Sequence, residues 1–138
     1  MPIQYSVNLR NAQLDQIETV TGASARLRLY SGSPPANCAA AATGTLLVDM
    51  ALPSDWMSAA SAGSKARLGT WSGTGTAGAG SGTAAGYFRI FDSAGSTCHM
   101  QGTVTITGGG GDMTLDNTNI AQNQVVTVNT FTVTAGNA

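Results

Sequence analysis

Charged side chains are unusually scarce in this sequence. Asp, Glu, Lys and Arg make up 9% of its 138 residues, whereas an ordinary soluble domain carries roughly 25%. Small neutral residues take their place, with 18 Gly, 18 Thr and 21 Ala. Because mixed charge is what keeps freely diffusing domains apart, we interpret this surface as one that a partner covers.

Basic clusters and paired catalytic groups are also missing. The six Lys and Arg residues are scattered, which argues against a nucleic-acid groove, since such a groove needs clustered positive charge. His99 is the sole histidine, and its neighbour Cys98 would point to the opposite face of a strand, so the two do not form a nucleophile and base. We therefore expect a protein that is not an enzyme and that uses no metal or cofactor.

Cysteine and long apolar runs are equally sparse. Cys38 and Cys98 stand 60 positions apart without a CxxC or Cys-His cluster, which argues against a zinc or redox site. Two free, buried thiols are the favoured interpretation, and a disulfide is the alternative. No stretch of 18 apolar residues and no signal-peptide pattern occurs, so we expect a soluble protein made in a cytoplasm, with no membrane partner.

Two motifs look chemical but have simpler interpretations. Residues 73–78 match GxGxxG, yet more Gly and Ser follow instead of the helix that a dinucleotide site requires. Asp112 and Asp116 lie near a run of Asn and Thr that favours side-chain-to-backbone turn bonds. A weak calcium site at these oxygens is the alternative.

The hydrophobic pattern predicts one domain over residues 1–138, with an extended arm at residues 1–7. Asn8 is predicted to cap a single short helix that Gly22 ends. Its apolar positions are Leu9, Leu14, Ile17 and Val20.

Downstream the period changes to two, which is typical of strands. Leu27 and Leu29 alternate with polar residues, and residues 65–72 are predicted to place Ala66 and Leu68 inward. Residues 69–86 are almost entirely Gly, Ala, Ser and Thr, so we expect a mobile loop or a long thin hairpin there.

Two further strands are predicted on either side of a turn that begins at Asp92. On the second, at residues 97–107, Cys98 is expected to share a face with Met100 and Val104. Near the end, Val126 and Val128 have one parity and Phe131 and Val133 the other, which indicates a bulge or a strand that crosses between two sheets. The fold class is therefore all-β, a jelly-roll or β-sandwich of about eight strands.

Large side chains able to anchor an interface are few. Trp, Tyr and Arg dominate binding hot spots because they combine area with a polar group, and Tyr30 and Arg89 are favoured because each lies opposite the apolar face of its strand. The candidate interface residues are Tyr5, Arg26, Arg28, Tyr30, Trp71, Tyr87, Arg89 and Phe91.

Four segments carry a family resemblance that spans nearly the whole chain. They are residues 27–38 (LRLYSGSPPANC), 52–57 (LPSDWM), 88–95 (FRIFDSAG) and 131–138 (FTVTAGNA). In these segments the chain resembles the capsid cement (decoration) proteins of tailed bacteriophages, among them a podovirus jelly-roll protein that sits as dimers over an HK97-type shell. The motifs carry no catalytic residues to transfer.

The resemblance implies a structural virion protein on the outside of the capsid, made in the host bacterial cytoplasm. Its partners would be the major capsid protein and a second copy of itself, with residues 1–7 or 69–86 reaching onto the shell and a sheet face forming the homodimer. The alternative is a tail or fibre module that binds host carbohydrate or a surface receptor. A virion enzyme is disfavoured because hydrolysis needs a positioned acid and base.

Overall fold

A computed structural model of the chain describes residues 2–136. Met1 of the predicted arm and the last two residues of the 131–138 segment therefore lie outside the described residues. Most of the buried apolar side chains within residues 2–136 form one core cluster.

One helix and eleven short strands make up the described part of the chain. They are α1 (Val7–Thr21), β1 (Arg26–Tyr30), β2 (Leu46–Ala51), β3 (Ser64–Ala66), β4 (Ser72–Thr74), β5 (Thr83–Ala84), β6 (Tyr87–Phe91), β7 (Cys98–Ile106), β8 (Met113–Leu115), β9 (Asn119–Ile120), β10 (Val125–Thr127) and β11 (Thr132–Thr134). A 3-10 turn at Ala77–Ala79 separates β4 from β5. The predicted fold class, all-β with one N-terminal helix, is confirmed, whereas the jelly-roll topology stays a prediction.

Ser6, rather than Asn8, caps the helix. The Ser6 hydroxyl accepts a hydrogen bond from the Leu9 amide at 3.2 Å, which satisfies one of the unpaired donors of the first turn. Gly22 ends the helix as predicted, because its φ of 88° suits glycine and its amide donates to the Glu18 carbonyl at 2.8 Å. Within the described residues the extended arm therefore covers residues 2–6.

Only part of the predicted apolar face of α1 meets the core. Leu14 is buried and Ile17 is half-buried against the core cluster, but Leu9 and Val20 are exposed. Fewer of the apolar residues of α1 are buried than their spacing predicted.

Polar contacts fasten α1 to the last strand. Arg10 Nη1 donates to the Ala135 carbonyl at 3.2 Å, and the Asn11 side chain accepts from the Gly63 amide at 2.9 Å. The Ala135 amide in turn donates to the Gly63 carbonyl at 2.9 Å. The first helix and the last strand therefore meet at the turn before β3.

The main sheet has five strands in the order β2-β1-β6-β7-β8. All neighbours are antiparallel except β7 and β8, which run parallel. Leu27 lies between Met50 and Ile90, and Leu29 lies between Val48 and Phe88. The alternation predicted for β1 is confirmed, because both leucines are fully buried.

Short strand pairs form a second layer over this inner face. They are β10-β4, β11-β3 and β5-β9. Phe131, between β10 and β11, packs edge-on against Phe88 of the main sheet with ring centroids 5.5 Å apart, and Trp71 lies 5.6 Å from Phe131. The chain passes from one strand pair to another between Thr127 and Thr132, which confirms the crossing that the change of parity predicted.

Lys65 reverses the orientation predicted for residues 65–72. Its side chain is only 2% exposed, while Ala66 and Leu68 are exposed. The apolar-inward rule fails here because the lysine ammonium meets two carboxylates on α1, and a paired charge is tolerated where an unpaired one is not.

Residues 69–86 are neither a mobile loop nor a thin hairpin. They contain β4 and β5, which pair with β10 and β9 and not with each other. The Gly75 amide donates to the Gln124 carbonyl at 2.8 Å, so long-range hydrogen bonds satisfy the backbone. A Cβ on Gly73 would lie 2.7 Å from that of Met50, which shows that glycine lets β4 pack closely on β2.

Candidate interaction surfaces

Six of the eight predicted interface residues lie on the outer face of the main sheet. Strand register places Arg26 beside Phe91, Arg28 beside Arg89, and Tyr30 beside Tyr87. The two tyrosine rings stack with centroids 5.0 Å apart. Sequence parity therefore located one continuous surface, because residues two apart on paired strands share a face.

The chain itself covers much of this surface. The loop of residues 31–45, between β1 and β2, folds over the outer face and is held there by Arg89, whose Nη2 donates to the Asn37 and Ala40 carbonyls at 3.1 and 2.8 Å. Tyr87 exchanges hydrogen bonds with the backbone of Thr43. Local sequence gave no signal of this covering loop.

Burial removes the two favoured interface candidates from the surface. Tyr30 is 7% exposed and Arg89 is 3% exposed, so neither side chain is available at the surface as predicted. Burial also raises the pKa of Tyr30, an effect that the nearby charge of Arg28 opposes. Arg89 holds the loop on the sheet, and Tyr30 stacks on Tyr87, which also bonds to the loop.

A charged cluster occupies the open end of the outer face. Asp49 Oδ1 lies 3.0 Å from Arg26 Nε, and Asp49 Oδ2 lies 3.2 Å from Arg28 Nε. The Arg28 guanidinium also lies 4.6 Å from the centre of the Phe91 ring. Both arginines remain partly exposed, at 33% and 22%, so this cluster is the accessible part of the six predicted residues on the sheet face.

Trp71 is in the core rather than at an interface. It is fully buried, and its indole N–H donates to the carbonyls of Trp56 and Leu68 at 3.1 and 3.2 Å. Its role is structural packing, which corrects the prediction for this residue. Trp56 is also fully buried, and its ring lies 6.0 Å from that of Trp71.

Four large apolar side chains along the arm and the first turn of α1 are exposed, and the sequence did not predict them as a group; we call these four residues the N-terminal stripe. Its members are exposed large side chains: Ile3 at 73%, Tyr5 at 41%, Val7 at 44% and Leu9 at 45%. Tyr5 was predicted as an interface residue and lies within this stripe. The signal in the sequence was an apolar residue at every second position from Ile3 to Leu9.

The sequence reasoning also missed a buried ionic cluster. Lys65 Nζ lies 2.8 Å from both Asp15 Oδ1 and Glu18 Oε1, and Asp15 also accepts from the Ala60 amide at 2.9 Å. Hydrogen bonds from Lys65 and Ala60 hold the pKa of Asp15 below its usual value. Burial alone would lower the pKa of Lys65, but its bonds to the two carboxylates outweigh this and raise it.

The residues singled out for chemistry have structural partners. Asp112 accepts hydrogen bonds from Thr103, and Asp116 accepts from Thr107 and Asn129. Asn117 accepts from the Asn119 amide at 3.0 Å, a turn bond of the predicted kind. Among residues 2–136, no group of three or more His, Cys, Asp or Glu side chains is placed to hold a metal ion.

Residues 73–78 end in the 3-10 turn at Ala77–Ala79 and do not open an α-helix, so the geometry of a dinucleotide site is not formed. His99 is exposed on β7. No helix in the described part of the chain is long and apolar enough to cross a membrane.

Comparison with known proteins gives no family assignment. No protein-family model matches the chain, and no curated protein and no solved structure shows significant similarity to it.

Proposed function

We propose that this protein is a structural component of a bacteriophage virion that binds the outside of an HK97-type capsid and cements neighbouring capsomers. The observation that carries the proposal is the N-terminal stripe, an exposed apolar surface on a chain with few charges. The resemblance of four sequence segments to phage cement proteins supplies the identity of the partner.

The N-terminal stripe is the proposed contact with the major capsid protein. Residues 2–6 have no regular secondary structure, and an extended segment of this kind can add to a strand edge of a partner. Their apolar side chains would be removed from water on docking, at about 25 cal/mol for each Å² buried. Because many copies act on one shell, each contact needs only modest affinity.

The second proposed contact is a homodimer through the outer surface. The loop of residues 31–45 covers part of the outer face, and Arg26 and Arg28 stay accessible beside it. A dimer would therefore use the loop and this charged cluster together.

Binding to phage heads tests the proposal. Purified heads that lack this protein are mixed with the wild-type chain and with variants Ile3→Asp and Val7→Asp, and occupancy is measured by sedimentation and gel densitometry. We expect wild type to saturate the heads and each variant to lose at least about tenfold in affinity, because a charge placed in a desolvated contact costs more than 1.4 kcal/mol.

Val125→Asp is the matched control, since Val125 is 66% exposed on a different part of the molecule. It should bind as wild type does. Failure of the wild-type chain to bind heads would refute the proposed function. Equal loss in all three variants, or in none, would refute the assignment of the contact to the N-terminal stripe.

Carbohydrate recognition by a tail or fibre module is the second candidate. One surface cleft is lined by Asp116, Asn117, Gln124 and Asn129, and such side chains hydrogen-bond hydroxyl groups. The residues that line this cleft include no aromatic ring on which a sugar would stack. Binding on a glycan array, lost in Gln124→Ala, would favour this alternative over the cement function.

A further inference from the structure

Cys98 points to the outer face of the sheet, not to the inner face that its sequence parity predicted. Ile90 pairs with Met100, but the next residue, Phe91, pairs with Cys98, so His99 is an extra residue in β7. A bulge of this kind re-aims the side chains on one side of it. Cys98 consequently shares a surface cleft with Arg28, Arg89 and Phe91 of the outer face.

Cys38 reaches the same cleft from the loop of residues 31–45. The carbonyls of Asn37 and Ala40, on either side of Cys38, both accept hydrogen bonds from Arg89. Arg89 also donates to the Gln101 side chain at 3.1 Å, and Gln101 donates to the Pro35 carbonyl at 2.7 Å. The loop around Cys38 is thus held in place over β6 and β7.

The two thiols line this one cleft, and both are half-buried rather than sealed in the core. We propose that Cys38 and Cys98 form a reversible intramolecular disulfide that latches the loop of residues 31–45 to β7 under oxidising conditions. The bulge at His99 and the anchoring of the loop by Arg89 bring the two cysteines to the same cleft. This inference does not depend on the proposed function.

With a disulfide such as oxidised glutathione as oxidant, the reaction proceeds by two exchange steps. The thiolate of one cysteine attacks the glutathione disulfide and releases one glutathione thiolate, and the second cysteine then displaces the other. The protein loses two protons and two electrons, and two reduced glutathione molecules result. Burial, and next the neighbouring Cys38 thiol, raise the pKa of Cys98 to about 11, so the reaction should accelerate as the pH rises above neutral.

Mass spectrometry of dilute wild-type protein treated with oxidised glutathione tests the proposal. We expect a monomer lighter by two hydrogen atoms, with no thiol that iodoacetamide modifies after unfolding, and a proteolytic fragment that joins the Cys38 and Cys98 peptides. Dithiothreitol should restore the reduced mass. Stable glutathione adducts on the wild-type chain, disulfide-linked dimers, or unreacted thiols would each overturn the proposal.

The matched variants Cys38→Ser and Cys98→Ser each leave one thiol without its partner. Each should keep one glutathione adduct, which shows that the oxidant reaches both positions. Hydrogen exchange of residues 31–45 should be slower in the oxidised wild-type protein than in the reduced one. Equal exchange in the two forms would show that the bond does not latch the loop.

Discussion

Lys65 Nζ lies 2.8 Å from Asp15 Oδ1, and this contact joins the only helix in the described part of the chain to strand β3. The lysine side chain is almost wholly buried, whereas 47% of the Asp15 side chain is exposed. The ammonium group therefore depends on its carboxylate partners more than they depend on it. Loss of the lysine and loss of the aspartate should have different consequences.

We predict that Lys65→Met lowers the free energy of unfolding by about 2 kcal/mol. This is less than the cost of breaking a fully buried pair, because the two carboxylates left behind keep some contact with water. Urea denaturation followed by tryptophan fluorescence measures the change. Arg67→Met is the control, since Arg67 bonds only to backbone carbonyls at the surface, and a loss there as large as that of Lys65→Met would contradict the prediction.

Stability should fall as the solution is acidified from about pH 5 to pH 3. Hydrogen bonds lower the folded-state pKa of two aspartates. The largest contribution comes from Lys65 for Asp15 and from the Ser96 amide for Asp92. A group whose pKa is lower in the folded state stabilises the fold above its unfolded pKa of about 3.9 and loses that effect as the pH drops through the folded value.

The urea midpoint measured at several pH values tests this dependence. Asp15→Asn and Asp92→Asn should each flatten the curve below pH about 5, because the substituted group no longer titrates. Asp55→Asn serves as control, since Asp55 is exposed. An acid limb of the same slope in wild type and in the Asp15 and Asp92 variants would refute the assignment.

Gly73→Ala should destabilise the protein by about 1–3 kcal/mol, because the added methyl group would overlap the Cβ of Met50 and crowd Val48. Both neighbours belong to β2 and cannot move away without shifting that strand. Gly136→Ala is the matched control, since nothing lies within 4 Å of the added atom there. Thermal unfolding of both variants decides the point, and equal midpoints would count against close packing of β4 on β2.

Arg89→Met should release the loop of residues 31–45 from the outer face. It removes the donors to Asn37 and Ala40, and each lost bond to a charged group costs about 1.5–3 kcal/mol. Hydrogen exchange should accelerate within the loop more than in β1 or β6. In the control Arg26→Met, which loses only a partly exposed pair with Asp49, the loop should exchange at the wild-type rate, and identical behaviour of the two variants would be inconsistent with the anchor.

Local alternation was enough to predict the strands that line the core. Leu27 and Leu29 are buried as the period of two indicated, and the change of parity between Val128 and Phe131 marked a real crossing between strand pairs. These signals are local because each strand face is set by its own side chains.

Other features depend on residues far away in the sequence. Lys65 points inward because of carboxylates on α1, about 50 residues earlier. Residues 69–86 are ordered because their backbone bonds to residues beyond position 117. The composition of residues 69–86 gives no information about these distant backbone partners. A segment so rich in small residues was therefore expected to be mobile.

The sequence predicted only part of the candidate interaction surface. Parity placed six side chains on one sheet face. Four of them, Tyr30, Tyr87, Arg89 and Phe91, are buried, and the loop that bonds to Tyr87 and Arg89 gave no periodic signal. Cys98 was predicted on the wrong face because a bulge adds one residue to β7. The residue types around the bulge do not reveal the extra residue.

The bond between Arg10 and the Ala135 carbonyl has a practical consequence. It brings positions near opposite ends of the sequence to the same corner of the molecule, beside the N-terminal stripe. A bulky group attached near Ala135 would lie at that corner, close to Leu9 of the proposed docking segment. Reporter groups for assembly studies therefore belong away from this corner, and also away from the turn at Gly95, which contacts Arg28 of the proposed dimer surface.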